Sequence, residues 1–570
     1  MPADDQRPAT GLREDTGGLA ADLSTRRPRL PRLMDRWGPV LVLVAMTGAY
    51  FAVFGFLVYR QQSNFGTFGF DIGIRDQGIW LVAHGHTPFM TVRGLDFFAE
   101  NVEPISLLFV PFYWLGAGPH LLILVHTGVI SLGAVPLWLL GRDRFRRPWL
   151  ALVPPFAYLL YPAVHWVTWW AYHPDSMAIT PLLFAWWLAA RRRWGWYALA
   201  AGLALACKED VALAVFMLGL AVAFALRPAT SPGTADHGAA PATVAEPADG
   251  GPRLAGAPAP SRAQRPAWSA RRIGLLTAAS ALAWFLICTQ LIIPWRNHHV
   301  APFYESFFPS FGHGSVEILY NIVRHPSRVL HLATLHNRLH YDLQVFLPVA
   351  FLPFFGLPAL LVSGPQFGIN TIVQVQNGAT IESQYASLII AGVFLGTVEG
   401  MAWLAGGGGH LIRRKRPTQA GLSRPWVLRL LTVVLVVSSL ASTSVWGLSP
   451  MSKRFHSGLW VAHSYHAAQL EAALKLVRPS DGLSVTYYVT PHVTHRRYVY
   501  EFPNPWVNSN YGNTDFDLGR PDKVAWLILD RQTLGQPEAA LLARLTQPGG
   551  PFHIVQDDND IVAAHRVSSG

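Results

Sequence analysis

Charge is scarce in this 570-residue chain. Asp, Glu, Lys and Arg make up 14% of it, while hydrophobic residues make up 51%. Soluble domains carry about 25% charged residues, so the composition excludes a cytosolic enzyme of this size. Cysteine is nearly absent. Cys207 and Cys288 both lie in apolar runs, which excludes a disulfide framework and a cysteine zinc site. No Gly-rich phosphate loop occurs in the polar C-terminal part. Acidic residues are the scarcer charged class, 34 against 45 basic, for a net charge of +11. That excess does not imply nucleic acid, because the arginines cluster in short connectors between apolar stretches.

Apolar and aromatic residues are abundant. The chain holds 21 Trp and 31 Phe, and its mean hydropathy is +0.25. Tryptophan and tyrosine gather at membrane interfaces. Residues 1–36 are polar and expected to be disordered. A first span over 37–59 follows basic RRPRLPR and is too long for a cleaved signal, so the N-terminus is expected in the cytoplasm. Apolar runs follow at 119–140, 149–170 and 175–190. Their basic connectors GRDRFRRP (141–148) and RRRW (191–194) belong inside, and YHPDS (172–176) outside. Residues 104–117 are short and Pro-punctuated, and read as a helix lying on the outer interface.

The stretch LALACKEDVALAV (203–215) places Lys208, Glu209 and Asp210 inside an apolar run over 196–226. The 228–270 linker, disordered by composition, carries Arg253, Arg262 and Arg265 and is followed at once by Arg271 and Arg272, so it must stay cytoplasmic. The run is therefore expected to fold back as a hairpin turning at the three charges. Arms of about 18 and 24 Å at 1.5 Å per residue fall short of a hydrocarbon core about 30 Å thick. The charged tip is thus predicted inside a cavity open to the outer face, where intramembrane charge is tolerated. The alternative is that Lys208 and Asp210 only neutralise each other and pin the turn.

Further spans are expected at 273–294, 385–405 and 425–447. An external loop covers 295–343, and a second short hairpin (345–362 and 365–377) is broken at Gly364-Pro365. The predicted fold class is an α-helical polytopic plasma-membrane protein of about eleven transmembrane helices with a small C-terminal extracytoplasmic α/β domain. Its parts are the N-terminus (1–36), a first membrane module (37–227), the linker (228–270), a second membrane module (271–449) and the external domain (450–570). In that domain 484–489, 497–502 and 524–530 read as strands, 456–477 and 534–546 as helical, and FHIVQDDNDIVAAHR as a terminal hairpin turning at Asp-Asn.

Three stretches meet on the outer side. FDIGIRDQGIW offers Asp71 and Asp76 around Arg75, with Gln77 following. A carboxylate there can act as general base or hold a divalent cation; the alternative is that Asp71 caps a helix. HWVTWWAYHPDSMAITP supplies His173 and Asp175 beside aromatic interface anchors. The His- and Arg-rich 295–343 loop, beginning at Arg296, suits lipid phosphate better than zinc.

FDIGIRDQGIW, YHPDSMAI, CKEDVAL, SGPQFGIN and SQYASLII resemble a family of polytopic membrane proteins, domain of unknown function 2079. That family is in turn similar to the GT-C glycosyltransferases, which use polyprenyl-phosphate sugars. The resemblance covers about 38–566 without the linker. It implies a GT-C-like fold, a lipid-linked sugar donor, and an acidic residue in the first external loop as base or metal ligand. Asp71 matches that position first and Asp76 second. Where such enzymes often place a His before the interfacial Pro, this chain has Asn101 and Glu103 in ENVEP, which departs from the pattern for metal binding. The resulting expectation is a glycosyltransferase with Asp71 or Asp76 catalytic. His173, Asp175, Lys208, Glu209, Asp210, Gln77 and Arg296 would bind substrate. The rival is a non-catalytic transporter or lipid-carrier-binding protein.

Overall fold

A computed structural model describes residues 29–226, 269–297, 307–312, 314–375, 378–406, 424–508 and 519–567. Of the segments expected to be disordered, residues 1–28 and 228–268 lie outside these, but 29–36 are helical, the start of Arg29–Ser63. Among the described residues six helices are long and apolar enough to cross a membrane: Trp37–Ser63, Pro119–Phe145, Ala270–Arg296, Leu352–Ile372, Gln384–Ala405 and Pro425–Trp446. Leu150–Leu159 and Pro162–Trp169, bent by 43°, make a seventh. The bend falls where Pro162 forces the preceding residue out of helical geometry. By length and composition the described residues therefore hold six or seven spans of the eleven expected helices, the hairpin arms Trp194–Leu205 and Val211–Phe224 being shorter apolar helices.

The first span illustrates why the molecule needs lipid. Leu43, Tyr50, Phe54 and Val58 are buried at helical spacing, while Leu41, Val44 and Phe56 on other faces are exposed. A helix apolar all round with one face uncovered suits a bilayer boundary. At the centre of the bundle lies Gln384–Ala405. Its Gly392, Gly396 and Gly400 let neighbours approach closely: a Cβ on Gly396 would come 3.1 Å from the Pro353 carbonyl, and one on Gly400 2.3 Å from that of Leu352. Small residues at four-residue spacing are the usual means of close helix crossing in membranes. Its Glu399 is paired with Arg144 at 2.7 Å and accepts from Trp186 Nε1 at 3.0 Å.

The hairpin predicted from its charges is present. Trp194–Leu205 and Val211–Phe224 are separate helices that break at 206–210. The second arm packs on Ala270–Ile287 through Gly219 and Gly274: a Cβ on Gly219 would lie 2.6 Å from the Ala278 nitrogen. Gly219→Leu should force the two helices apart and cost about 1–3 kcal/mol, the usual penalty for overpacking. A drop in the thermal midpoint of the detergent-solubilised protein checks this, and an unchanged midpoint refutes it.

The second hairpin requires a correction. Gly364 and Pro365 do not break it, since the chain runs helically through Leu352–Ile372. Pro365 occupies the first turn of Gly364–Ile372, where its missing N–H costs nothing. The reversal lies instead at Ala350 and Phe351, both left-handed, with φ of 51° and 55°. The stretch expected as an external loop contains three helices, Gly314–Arg324, Pro326–Ala333 and His336–Phe346. Leu319, Val323 and Leu330 point outward from them, as in helices lying at an interface.

The C-terminal domain is α/β, as expected. A short ladder in the first loop, β1 (Phe89–Met90) with β2 (Leu95–Asp96), precedes it. The domain's sheet contains β3 (Gly482–Val485), β4 (Val499–Glu501), β5 (Val524–Asp530), β6 (Phe552–Asp558) and β7 (Ile561–Arg566), in the order β4-β3-β5-β7-β6. β3 is parallel to both β4 and β5, and β7 is antiparallel to β5 and β6. The terminal hairpin turns at Asn559 and Asp560, both at positive φ. Helix Gln536–Thr546 covers one face through Leu541, Leu542 and Leu545. The stretch 456–477 is less regular than expected, a series of short turns before Ala467–Leu474.

Candidate functional site at the first loop and the hairpin tip

Asp71 lies in a π-helical turn, Gly69–Gly73, that leads into Ile74–Ala83. Such turns recur at functional sites. Asp71 is not a cap, for neither helix start has a side-chain cap. Its Oδ1 lies instead 3.2 Å from His173 Nε2, with the two side chains 11% and 4% exposed. His173 reaches this position because Ala171 takes a left-handed conformation (φ 61°), a strained choice for a residue with a Cβ. The helix beginning at Pro174 follows at once. His173 Nδ1 has no protein partner among the described residues.

Charged neighbours surround this pair. Arg75 donates to the Asp71 carbonyl at 3.1 Å and binds Glu103 at 2.9 Å. Asp175 lies within electrostatic reach of both Arg75 and Lys208. At the hairpin tip Lys208 pairs with Asp210 at 3.1 Å. Glu209 accepts from the Val102 backbone at 2.8 Å, and Ile105 N donates to the Ala206 carbonyl at 2.8 Å. The tip is thus bound to the first loop, which supplies Glu103 from ENVEP. Asp71, Arg75, Glu103, His173, Asp175, Lys208, Glu209 and Asp210 form one cluster assembled from three chain segments.

Asp76, Gln77 and Arg296 engage other partners. Asp76 is fully buried and accepts from Tyr113 Oη and Thr494 Oγ1, with His495 Nε2 3.2 Å away. Gln77 donates to Thr91 Oγ1 at 3.0 Å and to the Arg496 carbonyl at 3.3 Å. Both residues join the first loop to the C-terminal domain. Arg296 pairs with Asp96 at 3.6 Å and covers the Trp295 ring.

The joint extends to the π-turn itself. Gly69 N donates to the Tyr487 carbonyl at 3.0 Å, and a Cβ on Gly69 would fall 1.9 Å from Glu501 Oε1. Tyr487 and Glu501 lie at the carboxyl ends of the parallel strands β3 and β4, the edge where α/β sheets place ligands. Phe68 stacks on Tyr487 (centroids 6.1 Å) and lies 5.6 Å from Trp170. An aromatic wall therefore borders the cluster.

Burial lowers the pKa of His495, but the Asp76 carboxylate 3.2 Å from its Nε2 more than offsets this, so the pKa is raised; Arg496 opposes it. A raised folded-state value stabilises fully below the unfolded value of about 6.5. That contribution is lost as pH climbs through the raised value. The thermal midpoint should fall over that window, and His495→Gln should flatten the dependence. An equal pH slope in both proteins would contradict the assignment.

Sequence reasoning missed His126, fully buried with neither ring nitrogen partnered among the described residues. It lies within electrostatic reach of His173 and 6.3 Å from the Tyr172 ring. Its only signal was a lone His in an apolar run. Tyr385 was missed as well; it senses Lys208, Asp71 and Asp175. The motifs SGPQFGIN and SQYASLII are otherwise structural here. Ser363 Oγ donates to the Leu388 carbonyl at 2.7 Å, and Asn370 to the Tyr385 carbonyl at 2.9 Å. Among the described residues no group of three or more His, Cys, Asp or Glu is placed to hold a metal ion.

The sequence profile of a family described as predicted membrane protein (DUF2079) matches residues 62–563. The chain belongs to that family, and it is a multi-pass membrane protein. Among solved structures it is similar to ArnT from Cupriavidus metallidurans bound to undecaprenyl phosphate. The identity is 14% and the TM-score 0.48, covering 94% of this chain and 99% of that one. No curated protein matches it.

Proposed function

We propose that this protein is a glycosyltransferase that moves a sugar from a polyprenyl-phosphate carrier to an acceptor hydroxyl, on the outer face of the membrane where the C-terminal domain lies. The observation that carries the reading is the buried Asp71–His173 pair at 3.2 Å, held within one charged cluster at the hairpin tip. A carboxylate so oriented can take the acceptor proton as the new bond to the sugar carbon forms. The bond from that carbon to the phosphate oxygen breaks, and the polyprenyl phosphate leaves with the electron pair. Lys208 and Arg75 are the cations that offset its charge. Asp175 and the aromatic wall of Phe68, Trp170 and Tyr487 orient sugar and acceptor.

Proteoliposomes carrying the full chain and a radiolabelled polyprenyl-phosphate sugar test this reading. Label should pass to a glycosidic product. Label that crosses the membrane still attached to its carrier would favour the transport reading instead.

A further inference from the structure

At the opposite end of the membrane spans lies a second feature, independent of the transfer reaction. A cavity of about 590 Å³ is lined by Arg146, Arg147, Trp149, Leu150, Pro425 and Arg429, among others. Among the described residues its lining holds three arginines and no carboxylate. Two nearby acids among the described residues have partners outside the cleft: Asp143 with Arg191 and Trp187, and Glu399 with Arg144 and Trp186. Pro425 opens the 22-residue helix Pro425–Trp446, whose N-terminal dipole adds further positive potential.

The chain builds this cleft by specific local means. Helix Ala134–Phe145 ends on Arg146 in a left-handed conformation, φ 53°. That reversal turns Arg147 and Pro148 away from the helix axis. Trp149 is held against the first span, where a Cβ on Gly38 would come 2.7 Å from the indole. It is nonetheless 47% exposed. The cleft therefore has a cationic floor and a wall of Trp149 and Leu150 at the edge of the apolar region. Guanidinium groups match phosphate oxygens in pairs, and basic pockets between membrane helices take anionic lipid headgroups.

We infer that this cleft binds the phosphate headgroup of an anionic phospholipid, with Arg147 and Arg429 on the phosphate oxygens and Trp149 against the acyl-chain boundary. A free phosphate ion shares the headgroup chemistry but has no use for the aromatic wall, so the two sources are separable.

The test uses the full chain purified in detergent, with native mass spectrometry for retained lipid. Thermal midpoints are then titrated with mixed micelles of phosphatidylglycerol or phosphatidylcholine, or with inorganic phosphate. Wild type should retain phosphatidylglycerol and gain stability from it alone. Arg147→Gln/Arg429→Gln should retain it at least about tenfold less, because one charge-assisted bond is worth about 1.5–3 kcal/mol and 1.4 kcal/mol is tenfold. All three arginines are exposed, so the variant should fold. If it does not, Arg147→Lys/Arg429→Lys keeps the charge and should retain part of the binding. Equal retention by wild type and the Gln variant overturns the inference. So does equal stabilisation by phosphatidylcholine, or full stabilisation by inorganic phosphate.

Discussion

Replacing Asp71 by Asn is expected to lower transfer from a polyprenyl-phosphate sugar by about 10²–10⁴-fold, the contribution of a positioned general base. That corresponds to about 2.7–5.5 kcal/mol of barrier. Asn preserves the size of the side chain and can still meet His173 Nε2, so the π-turn and the neighbouring Arg75–Glu103 pair at 2.9 Å should persist. The loss should therefore appear in turnover while the thermal midpoint stays near that of wild type. Initial rates in proteoliposomes at saturating donor give the measurement. Turnover equal to wild type would remove Asp71 from the role of base.

Asp76→Ala should act in the opposite manner, on stability first. The carboxylate is wholly buried and receives the Tyr113 and Thr494 hydroxyls beside His495. Truncation leaves both hydroxyls without an acceptor and the His495 charge without a partner. Breaking such a buried set by removing one member costs about 3–5 kcal/mol. Because Thr494 and His495 belong to the C-terminal domain, the expected phenotype is a domain that undocks before the membrane helices melt. Limited proteolysis should cut the variant near residue 450 under conditions that spare wild type, and the thermal midpoint should drop. A variant as resistant as wild type would mean that Asp76 carries little of the joint. The two aspartates, five residues apart in the first loop, are thus distinguished by one kinetic and one stability experiment.

What the sequence revealed, and what it hid, follows from the range of each interaction. The hairpin turn at 206–210 was legible because three charges cannot lie in an apolar run without a reason. β5 was legible to the residue, since VAWLILD is apolar and β-branched between polar turns. The reversal at Ala350 and Phe351 was not, because neither residue favours positive φ; tertiary packing imposes it, while Gly364-Pro365 offered a local signal that packing overrode. The candidate site divides in the same way. Asp71, His173, Asp175 and the hairpin tip stood out as polar groups beside apolar spans, yet their meeting depends on separations of 102 residues or more. Glu103 was noticed only as a departure from a pattern, and its pairing with Arg75 was not visible locally. That Asp76 faces the C-terminal domain was hidden altogether, being decided by Thr494 and His495 more than 400 residues downstream.

The stitching between the first loop and the last domain also sets the timing of assembly. Thr91 Oγ1 donates to the Val499 carbonyl at 2.7 Å and receives the Val499 N–H at 2.9 Å, a contact spanning 408 residues. Chains emerge from the ribosome N-terminal end first, so the loop bearing Asp71 is made long before the strands that brace it. The corner around Asp71 is therefore braced only after the segment that carries Val499 has been made.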